Sequence, residues 1–217
     1  MIGLEPVHKK EFQLERMILF SDAVFAIAIT LLVLEIKVPH ISENIDHSLF
    51  YVLVGMTPKF IGFFISFFVI GQYWIVHHKL FGFVDDYNGG LLWLNLVFLL
   101  SIVLMPFSTG LYSENIRSNL SFVIYCGNIF ASGLLAFILW RFIGSSKQNL
   151  SQLFQHKELL SYFSIRSLLI SSAFGIGALI SIFNPTIAKF SPVLIFPALK
   201  IINNKYKQVL EKYKRNP

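Results

Sequence analysis

The sequence predicts an all-α membrane protein with six transmembrane helices, and three observations predict it. Hydrophobic residues make up 55% of the 217-residue chain and charged residues only 14%, against roughly 25% charge in a typical soluble domain. The apolar residues, 23 phenylalanines among them, are gathered into segments long enough to cross a bilayer. The Lys and Arg residues fall unequally between alternate connections, as they do in multispanning proteins. A soluble chain of this length has too little interior to hide so much apolar surface, so lipid must cover it.

The first span is predicted over 17–38. The residues before it are polar and charged, and the run is too long for the core of a cleavable signal peptide. The second, 48–76, is long enough to cross with tilt, and Pro58 within it is expected to kink it. The third covers 90–109, the fourth 120–142 and the fifth 159–183. The sixth, 185–202, is short and carries Pro192 and Pro197, tolerable where neighbours satisfy the freed backbone groups. No soluble domain, internal repeat or low-complexity tract is evident, so 1–217 reads as a single six-span domain.

Six crossings place both termini on one side. Fourteen Lys and Arg residues then lie on that side, and only Lys37, Lys59, Arg117 and Lys189 on the other. Both termini are therefore expected in the cytoplasm. The basic tail from Lys205 to Arg215 suits an anionic lipid surface better than nucleic acid.

Enzyme chemistry is absent from the pattern. The chain has no phosphate-binding glycine loop, no paired cysteines and no His-Glu-x-x-His motif. Its single cysteine, Cys126, cannot form an intrachain disulfide. His77 and His78 point about 100° apart on a helix and do not readily share a metal. Neither an enzyme nor a cofactor is expected.

The informative segment is the first span. Arg16, Ser21 and Asp22 stand near the start of an apolar run, where a carboxylate at bilayer centre costs roughly 2.5–3.5 kcal/mol. Such groups persist where they face protein or water. At 100° per residue, Ile27, Leu31 and Leu34 form one narrow stripe, extended by Phe20, Ala23 and Val38, with Thr30 at its edge. Asp22 points about 140° from Ile27.

Two readings of the stripe stand side by side. One is ordinary packing or lipid contact. The other is a pore lining, in which symmetric copies bring rings of aliphatic side chains to a constriction that gates by dewetting. Thr30 either bonds back to the carbonyl of Ala26 or lends its hydroxyl to a passing ion. For Asp22 the candidate partners at the same depth are Arg16, His77 and Asn95. Tyr73 and Trp74 fit an interfacial aromatic belt, and His77 is placed to donate to Asp22 and to titrate near neutral pH.

The run from Arg16 through Phe20-Ser21-Asp22-Ala23-Val24-Phe25-Ala26-Ile27 to Glu35, with Tyr73-Trp74-x-x-His77-His78, resembles the transmembrane-protein-175 family of potassium channels, in its bacterial members. The likeness covers the six-span layout. It implies a leak-type potassium channel of a bacterial inner membrane, lacking the Thr-Val-Gly-Tyr-Gly filter that is also absent here. It implies that the first helices of a homotetramer line the pore, with a hydrophobic constriction at Ile27 and further lining at Leu31 and Leu34. Thr30 would lie near the permeant K+. The family's polar network maps to Arg16, Ser21, Asp22, Trp74 and His77, and to Asn95. A proton-coupled transporter using Asp22 and His77 is the alternative, and a non-conducting membrane subunit is a third.

Overall fold

The computed structural model describes residues 6–39 and 45–215, and among these every regular element is helical. The side chains of Lys9, Lys10, Ser48, Lys214 and Arg215, which entered the topology reading, lie outside the described residues.

Helix α1 (Pro6–Leu34) begins on a proline, whose missing N–H costs nothing in a first turn. The charged segment around Arg16 is therefore already helical. α1 ends four residues before the expected Val38, and Pro39 keeps Val38 itself out of helical geometry. Val38 is thus not part of the α1 stripe.

The expected second span is two helices, α2 (Ile45–Gly55) and α3 (Thr57–Phe81), separated at Met56. Pro58 lies in the first turn of α3, where a missing donor is harmless, so it starts a helix rather than kinking one. α3 also continues through His77 and His78 to Phe81.

α4 (Gly89–Glu114) is capped by Asn88, whose Oδ1 accepts from Leu91 N at 2.9 Å, and carries Pro106 in its interior. α5 (Asn119–Ile143) is capped by Ser118. A connection containing a short 3-10 turn at Gln152–Gln155 leads to α6 (Lys157–Ser181). That connection is tied down by Asp85 N donating to Leu150 O at 2.8 Å and Asn88 Nδ2 donating to Gln148 Oε1 at 2.9 Å.

The expected sixth span is not one helix. Its residues form α7 (Pro185–Ala188), a 3-10 turn at Ser191–Leu194 and α8 (Ile195–Lys205), followed by α9 (Lys207–Arg215). Pro185, Pro192 and Pro197 each remove a backbone donor, and each falls at the start of one of these pieces. Five helices among the described residues have the length and composition to cross a membrane: Glu11–Leu34 within α1, and α3, α4, α5 and α6.

α5 packs most extensively against α6 and α4, while α1 lies at the side of the bundle against α3 and α4. Phe98, Ile102, Met105, Ile129, Leu139, Trp140 and Ile143 fill the interior. The outward faces are also apolar: Phe68, Trp93, Phe107 and Leu179 are well exposed, a surface that water would penalise and lipid would not. We call the end where α1 begins the near end, and the opposite end the far end.

Candidate pore helix and its polar anchor

The helical repeat divides α1 into a buried and an outward face. Met17, Ser21, Phe25, Ala28 and Leu32 recur at three- and four-residue steps and pack into the bundle; Phe25, Ala28 and Leu32 are each only 1% exposed. The other face is open. Ile27 is 58% exposed, Leu31 37% and Leu34 70%, and Phe20, Ala23 and Thr30 are exposed with them. The aliphatic stripe predicted from periodicity therefore points away from its own chain.

Ser21 and Asp22 are neighbours, so their side chains leave the helix about 100° apart and meet different partners. Ser21 faces α4, where Asn95 Nδ2 donates to Ser21 Oγ at 2.9 Å. Ser21 Oγ in turn donates to Met17 O at 2.8 Å, one turn back on α1. On its other side, Asn95 Oδ1 lies 2.9 Å from His77 Nε2 on α3.

The chain has a direction. The serine spends its only proton on a backbone carbonyl, so the asparagine must give it an N–H. The asparagine oxygen then accepts, and His77 carries its proton on Nε2. Ser21, His77 and Asn95 are all fully enclosed, at 0%, 2% and 1% exposure. Three helices are thus joined by one run of buried hydrogen bonds.

Aromatic rings enclose the imidazole. Phe98 stacks nearly parallel to His77 at 5.7 Å and 5°, Phe81 lies at 4.3 Å, and Phe25 from α1 at 5.5 Å. The expected His77–Asp22 hydrogen bond is absent: Nε2 goes to Asn95, Asp22 accepts from Trp74, and His77 Nδ1 has no hydrogen-bond partner among the described residues.

Asp22 is half-buried and turns to α3, where Trp74 Nε1 donates to Asp22 Oδ1 at 2.9 Å. Within one chain Arg16 does not pair with Asp22. It is exposed, with its guanidinium over the Phe12 ring at 5.8 Å, and no hydrogen bond or ion pair joins it to the carboxylate. Tyr73 is not a belt residue either: it is buried and donates to Ile129 O at 2.6 Å, tying α3 to α5. Thr30 bonds back to the carbonyl of Ile27 at 2.9 Å rather than to Ala26.

The profile of the endosomal/lysosomal potassium channel TMEM175 family matches residues 16–106, a stretch that contains every residue of this network. A potassium channel of Streptomyces collinus is 36% identical over 125 residues, covering 56% of this chain and 60% of the relative. A potassium channel of Chamaesiphon minutus is 33% identical over 136 residues, covering 61% of this chain and 67% of the relative. The chain belongs to the TMEM175 family. The crystal structure of a lysosomal potassium-selective channel TMEM175 homolog from Chamaesiphon minutus superposes with a TM-score of 0.71 and 26% identity, covering 87% of this chain and 97% of that one. The likeness between the TMEM175-family folds therefore extends well beyond the matched segment, whereas the Streptomyces alignment spans less than two thirds of that relative.

Some of the TMEM175-family chain's polar joints escaped the sequence reading. Thr109 Oγ1 lies 2.8 Å from Ser66 Oγ, which lies 3.1 Å from Tyr125 Oη, linking α3, α4 and α5 toward the far end. Ser132 Oγ lies 2.9 Å from Ser101 Oγ. At the far end, Glu114 pairs with Lys59 at 3.3 Å and with Lys37 at 3.8 Å, and the Glu35 side chain covers the backbone of Gly110. The recurrence of Ser101, Ser108 and Thr109 on one side of α4 was the available signal.

Proposed function

We propose that this protein is a potassium-selective leak channel, a homotetramer in which the first helices surround the ion path. The observation that carries this reading is the open stripe of α1: Ile27, Leu31 and Leu34 point outward while the opposite face is locked to α3 and α4 by buried hydrogen bonds. A helix held so firmly on one side can present a fixed aliphatic wall on the other. One copy of α1 cannot enclose an axis, and closed symmetry supplies the remaining walls. The potassium-channel relatives and the potassium-selective structural neighbour support the choice of ion.

In this reading Ile27 forms the narrowest ring and Leu31 and Leu34 continue the lining. Rings of this kind gate by dewetting. The Thr30 hydroxyl gives its proton to Ile27 O, so its lone pairs are free for a passing K+. Arg16 at the near end would lie close to the mouth, and Ser21, Asp22, Trp74, His77 and Asn95 hold α1 at a set rotation. The broken segment from Pro185 to Lys205 supplies the sixth crossing. Both termini then face the cytoplasm, in agreement with the charge asymmetry, and the basic α9 lies on anionic lipid of the bacterial inner membrane.

The test is flux from liposomes holding the purified chain. Potassium efflux should proceed under a potassium gradient alone and exceed sodium efflux. Equal fluxes of the two ions, or none, would end the selective-channel reading. Uptake that requires a proton gradient would favour a coupled transporter. Ile27→Asn places an amide in the apolar ring and should raise conductance several-fold by wetting it, and an unchanged current would remove Ile27 from the constriction.

A further inference from the structure

We propose that the cavity between α3, α5 and α6 is a binding site for a phosphate-bearing anion. It lies on the side of the bundle formed by these helices, apart from the open face of α1, and stands independently of the conduction reading.

The cavity measures about 220 Å3, and its wall includes Lys79, Arg166, Gln72, Ser167, Trp140 and Phe163. That volume corresponds to roughly seven waters, enough for a phosphate group with some of its hydration. Lys79 and Arg166 bring two positive charges to it. No carboxylate lines the cavity or pairs with either cation among the described residues. Arg166 finds only neutral acceptors, Tyr162 Oη at 3.3 Å and Asn203 Oδ1 at 3.4 Å.

The depth of the arginine makes this costly. Arg166 stands nine residues into α6, about 13 Å along its axis. An ionised side chain at such a position in a membrane-length helix needs a counter-charge or water.

The second observation is independent of the charges. Trp140 is 1% exposed and stacks on Phe163 at 4.9 Å and 12°, yet its Nε1–H has no hydrogen-bond acceptor among the described residues. Buried indole N–H groups ordinarily find a partner. If packing alone were needed, a phenylalanine would stack as well without stranding a donor. An ammonium, a guanidinium and an amide line one space, with Trp140 in its wall, while the Ser167 hydroxyl donates to Phe163 O at 3.0 Å. This donor set suits an anion with several oxygens, and Arg is the cation best matched to phosphate. Two sources carry that chemistry: the headgroup of an anionic lipid, and free phosphate or a phosphate ester from solution.

The purified full-length chain in neutral detergent is titrated with inorganic phosphate, with short-chain phosphatidylglycerol and with dioctanoylglycerol, which lacks phosphate. The thermal midpoint is the readout. A phosphate-bearing ligand should raise the midpoint in a saturable way, and dioctanoylglycerol should not. Removing both charges in K79Q/R166Q should weaken apparent affinity by roughly ten- to a hundredfold, the scale of charge-assisted hydrogen bonds. The control K147Q/K200Q, at exposed lysines elsewhere, should titrate like the unsubstituted chain. Trp140→Phe should keep the unliganded midpoint or raise it, yet weaken binding several-fold; a purely structural tryptophan would not separate the two.

A shift with phosphatidylglycerol alone identifies a lipid headgroup, and a shift with inorganic phosphate identifies a soluble anion; both uphold the site. No shift with either, an equal shift with dioctanoylglycerol, or unchanged affinity in K79Q/R166Q overturns it. If that double variant does not fold, Lys79→Gln alone decides, since Lys79 is exposed and unchanged affinity there overturns the proposal equally.

Discussion

Phe25 and Ile27 are two residues apart on the same helix and live in different surroundings. Phe25 is buried against His77 and Phe98, beside a hydrogen-bond chain that crosses three helices. Ile27 is open, on the face turned away from the bundle. One face of α1 holds the helix in place, and the other face is what the helix presents. Chemical cost is concentrated on the first face, where a buried donor or acceptor is expensive to leave without a partner. The second face is tolerant, because an exposed aliphatic residue has no partner in its own chain to lose.

Substitutions on each face of α1 test this division. The largest effect is expected from Phe25→Ala, which empties a packed site and should cost about 3–5 kcal/mol in stability. The same truncation at Ile27 should cost less than about 0.5 kcal/mol, as surface changes do. Denaturant titration in detergent measures both. Similar losses at the two positions would mean that the faces are not distinct.

Next in size is Asn95→Leu. It strands His77 Nε2–H and removes the donor to Ser21, and each buried unmatched group costs about 1–3 kcal/mol. Removing all three partners together, as Ser21→Ala, His77→Phe and Asn95→Leu, should cost less than the sum of the single changes, because no group is left unmatched. Additive losses in that series would argue against a continuous chain.

The smallest effect belongs to Trp74→Phe. It removes the hydrogen bond to Asp22, but the pair is partly solvated, so the expected loss is about 1 kcal/mol. Its sharper consequence is rotational: with this strut gone, α1 should turn more freely, and potassium flux should change more than stability does. Liposome flux set beside the denaturation midpoint tests that ordering.

Much of this division was legible in the sequence. Periodicity alone separated the Ile27, Leu31 and Leu34 stripe from the side of Asp22, because the helical repeat holds wherever the helix packs. The cost of charge in lipid pointed to Ser21, Asp22, His77 and Asn95 as network members. The pairing within that network was not legible. Asp22 is adjacent to Ser21 in the chain, yet one meets Trp74 and the other Asn95. Tyr73 and Trp74 looked alike as belt residues, and one step along α3 sends Tyr73 into the core. Arg16, one candidate partner of Asp22, lies over Phe12 within its own chain.

Local chemistry determined what the sequence alone could decide: an α-helical membrane protein, the positions of its main apolar helices, and a first helix with one face for anchoring and one for presentation. Hydropathy, proline placement and the 3.6-residue repeat act over a few turns and need no partner. Only the tertiary structure decided that the expected second span divides at Met56 and that the segment from Pro185 to Lys205 breaks into pieces. It alone brought Lys79, Trp140 and Arg166 together from three helices far apart in sequence. The rotation and crossing of packed helices set which side chains meet, and those quantities depend on many contacts at once. A sequence pattern therefore names the groups that need partners, and packing chooses the partners.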